Sequence, residues 1–309
     1  MTLESVVTNE KVSIVVPTRN RAYTLGQVIG TFYSQADVSE VIIVDDAGSD
    51  NTAEVVEKFA NRHKNIRTVF LRNPEQKGAA HSRMEGVKAS TNEFVLFCDD
   101  DDFLGADYAR TCLRKIQGQQ VGVISGRHFY RQPGESLGEA IKRFGIGLVN
   151  QPAFDTLRFR VNTDARFEGD IELPFTHGIF LARRSLLLNY GLDPFYSRGN
   201  GFREESDVQI HAFLDGKRVL STNEAHAIHL HPSEVRTGGQ RIGRLRRFCW
   251  TVYYTHYFYG KYFDRAKLKL GIPYSRRIAI LIFTCIEFYM FFVRPVFVLP
   301  RYLIQRWQD

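Results

Sequence analysis

The segment Phe94-Val95-Leu96-Phe97-Cys98-Asp99-Asp100-Asp101-Asp102 runs five apolar residues straight into four carboxylates. A short apolar run with no polar alternation fits a strand buried on both faces of a parallel sheet. The aspartates then lie at the strand's carboxyl end, where open α/β sheets collect their ligands. Four adjacent carboxylates repel one another unless a cation is near. Magnesium or manganese takes such oxygens together with phosphate oxygens. On an extended backbone Asp99 and Asp101 would point to one side, Asp100 and Asp102 to the other. A solvated acidic loop is the alternative, and the run's place directly behind a buried strand weighs against it.

This strand is the fourth of a series. Val12-Ser13-Ile14-Val15-Val16 is closed by Pro17, and Leu25, Val28, Ile29 and Phe32 follow at helical spacing. Val41 to Val44 is a second strand. Asn51 with Glu54 has the spacing of a capping box, opening a helix with Val55, Val56 and Phe59 on its face. Ile66 to Leu71 is a third strand, and helices are expected over 79–90 and 106–117. The rhythm predicts an α/β fold: a doubly wound, mostly parallel sheet with helices on both faces. The first strand ends in Pro17-Thr18-Arg19-Asn20-Arg21 and the second in Asp45-Asp46-Ala47-Gly48-Ser49-Asp50. Alone, Asp45-Asp46 fits a turn with an Asx cap. A second carboxylate cluster on the same sheet edge makes it a candidate ligand site. The sequence has no Gly-x-Gly-x-x-Gly and no Gly-x-x-x-x-Gly-Lys-Ser/Thr, which argues against Rossmann and P-loop nucleotide sites.

Composition agrees with a folded enzyme-sized chain. The 309 residues are 44% hydrophobic and 24% charged, which excludes disorder as the main state and allows a sizeable core. The four cysteines are scattered without a Cys-x-x-Cys pair, so neither a disulfide framework nor a zinc ribbon is expected. The net charge of +7 is uneven: residues 236–309 hold 14 Lys and Arg against three acids, and 18 of the 40 aromatics. A mildly acidic body thus carries a basic, aromatic tail. The first apolar run has only five residues, too short for a secretory signal, and a cytoplasmic site of action is expected.

The runs beginning at Val12, Val44 and Phe97, in this order, resemble the inverting glycosyltransferase family 2, whose fold is GT-A. The resemblance spans roughly residues 11–220. It implies transfer of a sugar from a nucleotide-sugar, a UDP-sugar first, to a glycan or lipid-linked acceptor of a cell-surface polysaccharide, with Mn2+ or Mg2+ as cofactor. It implies Asp46 against the base, with Pro17, Thr18 and Arg19 lining the same nucleotide. Asp99 would meet the ribose side, Asp100 stand beside it in the Asp-x-Asp motif, Asp101 bind the metal, and Asp102 serve as neighbour or second ligand. Gly78 to Arg83 resembles the family's helix start ending in Ala-Arg-Asn. Here Ser82-Arg83-Met84 keeps the charge alone, so Arg83 is a nucleotide contact or a helix-surface arginine. Residues 1–105 would form the donor half, 106–235 the acceptor half, and 236–309 a separate tail.

Phe202-Arg203-Glu204-Glu205-Ser206-Asp207-Val208 resembles the family's Glu-Asp-x-Asp segment. Glu205 falls on the catalytic base, with Glu204 and Asp207 supporting it. A carboxylate in reach of an acceptor hydroxyl can take its proton. Acids at a helix start also complement the helix dipole, and that alternative stays open. Of His226, His229 and His231, the last fits the family's histidine near the metal and pyrophosphate. His177 is a weak candidate for acceptor contact.

Residues 278–300 are long enough to span a bilayer. Fourteen Leu, Ile, Phe and Val residues contribute about −6 kcal/mol, and a central Glu287 and Arg294 return about +6. An in-plane or re-entrant helix therefore fits better than a simple span, with the Tyr-rich basic stretch from Arg241 to Lys269 against anionic headgroups. A soluble helical subdomain is the alternative. Nucleic-acid binding is not expected, since the strand-end motifs account for a nucleotide-sugar. A nucleotidyltransferase would also use paired acids and a metal, and a non-catalytic partner of another transferase could share the fold.

Overall fold

The computed structural model describes residues 10–118, 120–238 and 242–296. The first half alternates as expected: β1 (Val12–Thr18), α1 (Ala22–Tyr33), β2 (Val38–Asp45), α2 (Thr52–Arg62), β3 (Arg67–Arg72), α3 (Ala79–Ala89) and β4 (Phe94–Phe97). β1 pairs in parallel with β2 and β4, and β2 with β3. Successive side chains in the middle of these strands enter different cores, which is why their central stretches are apolar on both faces. Ile14, Val16, Val41 and Ile43 pack with Leu25 and Val28 of α1. Val15, Ile42 and Val44 pack on the opposite face with Ala80 and Val87 of α3.

The second half adds β5 (Asp102–Leu104), α4 (Tyr108–Ile116), β6 (Val121–Tyr130), α5 (Leu137–Phe144), the hairpin β7 (Phe154–Asp155) and β8 (Arg160–Val161), β9 (Asp170–Glu172), β10 (Leu181–Arg183), α6 (Arg184–Tyr190), α7 (Glu204–Leu214) and β11 (Arg218–His229). The main sheet runs β3-β2-β1-β4-β10-β6-β11-β5, with β9 on the side of β11. β10 enters antiparallel between β4 and β6, whereas β6 and β11 are parallel. The fold is thus the mostly parallel α/β sandwich read from the sequence, with antiparallel insertions in its second half.

One local expectation fails. Asn51 makes no side-chain cap to α2. The neighbouring Asp50 takes that place: its Oδ1 accepts from the Thr52 hydroxyl at 2.6 Å, and its Oδ2 from the Ala22 amide at 2.8 Å. One carboxylate thereby ties the starts of α1 and α2 together.

The tail forms α8 (Arg244–Leu270) and α9 (Arg276–Phe288), the latter continuing through a π-turn at Tyr289–Val293. Phe258, Tyr259, Phe263, Phe283 and Ile210 build a third core joining the tail to the body. Arg203 is buried inside it, donating to the Phe159 carbonyl at 2.7 Å and facing the rings of Phe202 and Phe258 at 4.9 and 5.0 Å. Burial lowers its pKa to about 10. The tyrosines of α8 are therefore not headgroup contacts as a group: Tyr254, Tyr259 and Tyr262 are buried against the body. Glu287 does not face lipid either, because it is buried against Arg158, with Nη2 to Oε1 at 2.7 Å. The opposite face of α9 exposes Ile278, Leu281 and Phe288. The helix Arg276–Val296 is long and apolar enough to cross a membrane by length and composition, with mean hydropathy 1.8.

Candidate active site

Three strand ends and the start of α7 open into one cleft, of about 590 Å³, lined among others by Pro17, Thr18, Arg19, Asp46, Arg83, Asp99, Asp100, Asp101 and Glu205. Asp46, at the end of β2, accepts from the Asn73 side chain and from the backbone amides of Lys77 and Gly78, each at 2.8 Å. It thus fixes the loop leading into α3 while lining the cleft. Gly78 has φ +88, and a Cβ there would stand 2.4 Å from the Ser197 carbonyl oxygen, so only glycine lets the two loops close up.

The four aspartates do not alternate as an extended strand would. Asp100 and Asp101 turn to a common partner: Arg21 Nη1 lies 2.6 Å from Asp100 and 3.1 Å from Asp101. Thr18 donates its hydroxyl to Asp100 at 2.7 Å. Asp99 instead meets Arg83 at 2.6 Å. The protein therefore supplies cations of its own to a cluster whose crowding alone suggested a metal. Arg21 belongs to the run that closes the first strand, but nothing in the local sequence shows that it reaches the fourth strand's aspartates. It is the residue that lets these carboxylates fold side by side.

Arg83 is not a surface arginine. Its side chain is 3% exposed and joins Glu204, Asp99 and Glu205, the last at 3.1 Å. Burial raises the pKa of Glu204 to about 8 and lifts Glu205 as well, while Arg83 pulls both down. One guanidinium between three acids leaves a Glu205 that can hold a proton. Gly178 faces this carboxylate, and a Cβ there would stand 3.1 Å from Oε1. Space beside Glu205 thus depends on the missing side chain.

Asp101, Asp102 and His229 each offer one ligand atom, all within 4.8 Å of one another. Burial pushes Asp101 up to about 7, with Asp100 and Asp102 adding to the shift against His229 and Arg21. Asp102 Oδ1 is held by His128 at 2.8 Å, while its buried Oδ2 has no hydrogen-bond partner among the described residues. An orphaned carboxylate oxygen, a second carboxylate and an imidazole form a donor set that suits Mn2+ or Mg2+.

Three sequence assignments need correction. His229, not His231, stands by the aspartates, with Nε2 3.4 Å from Asp101. β11 ends at His229, so strand alternation stops there, and the His231 side chain caps the next turn by accepting from the Ser233 amide. His177 is a structural residue: Nε2 meets the Gly126 carbonyl at 2.9 Å and Nδ1 accepts from the Ile179 amide, and burial lowers its pKa to about 3. Asp207 supports the tail rather than Glu205, pairing with Lys261 at 2.9 Å and accepting from the Tyr196 and Tyr262 hydroxyls. His229 stands in the histidine run visible in the sequence, whereas His128 carries no signal beyond being a histidine on a strand that converges here.

Comparison with known proteins agrees with this architecture. The family model described as Glycosyl transferase family 2 matches residues 13–191. The uncharacterized glycosyltransferase EpsJ of Bacillus subtilis is 24% identical over 220 residues, covering 71% of this chain. The chain spans 60% of that relative's length and 40% or less of several other curated relatives that it matches. Among solved structures, Staphylococcus aureus TarS 1–349 in complex with UDP-GlcNAc superposes with TM-score 0.58 at 16% identity, covering 91% of this chain and 73% of that one. The mannosyltransferase PcManGT from Pyrobaculum calidifontis, in complex with GDP-Man and Mn2+, gives 0.56 at 17% identity, covering 91% and 70%.

Proposed function

Because the chain belongs to glycosyl transferase family 2, we propose that it moves a sugar from a nucleotide-sugar to a hydroxyl of a glycan or lipid-linked acceptor, inverting the anomeric centre in one displacement. The observation that carries this reading is that Asp46, Asp101 and Glu205, 159 positions apart at the extremes, line a single cleft. The complexes of TarS with UDP-GlcNAc and of PcManGT with GDP-Man support a nucleotide-sugar as donor. UDP is the first candidate nucleotide.

Pro17, Thr18, Arg19 and Asp46 line the nucleoside end, and Asp99 with Asp100 continue toward the diphosphate. Asp101, Asp102 and His229 would hold a divalent cation, which when bound would act as Lewis acid toward the departing diphosphate. Arg83 orients Glu205 from one side, and Gly178 leaves the other side open for the acceptor. Glu205 takes the proton from the acceptor hydroxyl as that oxygen attacks the sugar. Its raised pKa makes it a better proton acceptor, at the cost of activity in acid: the rate falls as pH drops through the raised value. Incubation with a panel of nucleotide-sugars and Mn2+ tests the reading. Release of the nucleoside diphosphate supports it, whereas pyrophosphate released from a nucleoside triphosphate would favour a nucleotidyltransferase.

Asp101→Asn separates function from stability. In the native state Asp101 titrates near 7, and in the unfolded chain near 3.9. The folded protein thus holds the extra proton between these values, and ionising Asp101 destabilises it increasingly as pH rises to about 7. Asn removes that penalty. At pH 8 without metal, the variant is expected to gain on the order of 1–4 kcal/mol in denaturant unfolding, yet to lose transfer. A variant less stable than wild type at pH 8 would contradict the assignment.

The exposed apolar face of α9 and the basic tail support action at the cytoplasmic face of a membrane. The Glu287–Arg158 pair anchors that helix to the body, which favours lying against the bilayer over an independent span.

A further inference from the structure

A second cavity, of about 920 Å³, lies between α8 and the loop at 193–198. Its walls are aromatic: Trp250, Tyr253, Tyr254 and Tyr257 from α8, and Phe195 from the loop. They form a continuous stack. Phe195 lies 3.7 Å from the Tyr257 ring and 5.4 Å from that of Tyr253, and Trp250 lies 5.2 Å from Tyr254. The stack is not closed off as a core would be, since Tyr253 remains 52% exposed.

The cavity shares a wall with the catalytic cleft. Ser197 and Arg198 line both. Gly199, next in the chain, lies flat on the Trp250 indole: a Cβ there would stand 2.3 Å from the ring. Gly201, two residues on, faces Glu204 at the start of α7. One thin loop thus separates the aromatic cavity from the carboxylates.

We propose that this cavity binds a pyranose unit of the acceptor, a step or more back from the sugar whose hydroxyl reacts. The lining matches a sugar rather than an alkyl chain. A pyranose has an apolar C–H face and a polar rim. Aromatic planes suit the face, and polar groups stand at the rim: Arg198, and Asp193, whose carboxylate already accepts from Tyr257 and Lys261. An alkyl chain would desolvate the Asp193–Lys261 ion pair and the Arg198 guanidinium without offering either a hydrogen bond. The volume falls in the range of small-molecule sites. The inference deepens the transferase reading and rests on it only for naming the sugar an acceptor.

The chain has two tryptophans, Trp250 and Trp307, so Trp307→Phe leaves one reporter in the cavity. Methyl β-glycosides of glucose, galactose, mannose and N-acetylglucosamine are titrated against the fluorescence of this variant. At least one is expected to give a saturable change, and adding Tyr253→Ala is expected to weaken it about tenfold. Tyr253 is half exposed, so its loss leaves the fold intact. The proposal is overturned if none of the four glycosides changes the signal, if Tyr253→Ala leaves the affinity unaltered, or if a polyisoprenyl phosphate perturbs Trp250 and the glycosides do not. UDP with Mn2+ is tested separately by thermal shift. Absence of stabilisation there would sink the donor reading while leaving the sugar titration to decide the cavity.

Discussion

Replacing Arg83 by methionine is expected to destabilise the protein by about 3–5 kcal/mol and to silence transfer. The reason is charge left without compensation. Among the described residues Arg83 is the one guanidinium in contact with Asp99, Glu204 and Glu205, and both it and Glu204 are 3% exposed in their side chains. Methionine fills similar volume but leaves buried acids facing one another. They respond by taking up protons, so the loss is expected to be largest at alkaline pH and smaller toward pH 6. Adding Glu204→Gln to Arg83→Met removes one of the stranded charges and is expected to restore part of the stability. Urea unfolding of the single and double variants measures both effects. A single variant within 1 kcal/mol of wild type would show that Arg83 is not the hub described.

Glu205→Gln is expected to lower kcat by about 10²–10⁴ while the affinity for UDP stays near that of wild type. Glutamine keeps the shape and can still bond Arg83, but it cannot accept the acceptor's proton. The expected pattern separates a base from a binding group: kcat falls and donor binding does not. Stability should not fall, because removing the charge of one of the three acids that share Arg83 relieves repulsion. Equal loss of kcat and UDP affinity would instead mark Glu205 as part of the donor site. An unchanged kcat would remove it from the chemistry.

The parallel half of the fold was legible because strands buried on both sheet faces leave nearly continuous apolar runs, and Val12 to Val16, interrupted by Ser13, Val41 to Val44 and Phe94 to Cys98 carry them plainly. The antiparallel strand β10 was not, since Leu181 to Arg183 is three residues long and owes its place to β4 and β6 on either side. The strand-end acids were visible as motifs. Their partners were not: Arg21 meets Asp100 across 79 positions and Arg83 meets Glu204 across 121, and no local spacing encodes such pairs. The misjudged histidine has a simple cause. His229 and His231 would share a face only if the strand continued, but β11 ends at His229 and His231 turns to cap the turn that Pro232 opens. In the tail, composition suggested headgroup contact for the Tyr-rich stretch from Arg241 to Lys269, with a soluble helical subdomain as the alternative. Folding sends Tyr254, Tyr259 and Tyr262 inward and keeps Ile278, Leu281 and Phe288 outside, a division that depends on which face of each helix meets the body.

The most direct test is calorimetric titration of UDP into the protein, with GDP as comparison, in Mn2+ and again in excess chelator, using wild type and Asp101→Asn. Binding by wild type that requires Mn2+ and is lost in the variant is the expected result. Nucleotide binding that is equally tight in chelator and untouched by Asp101→Asn would contradict a cation held by these aspartates.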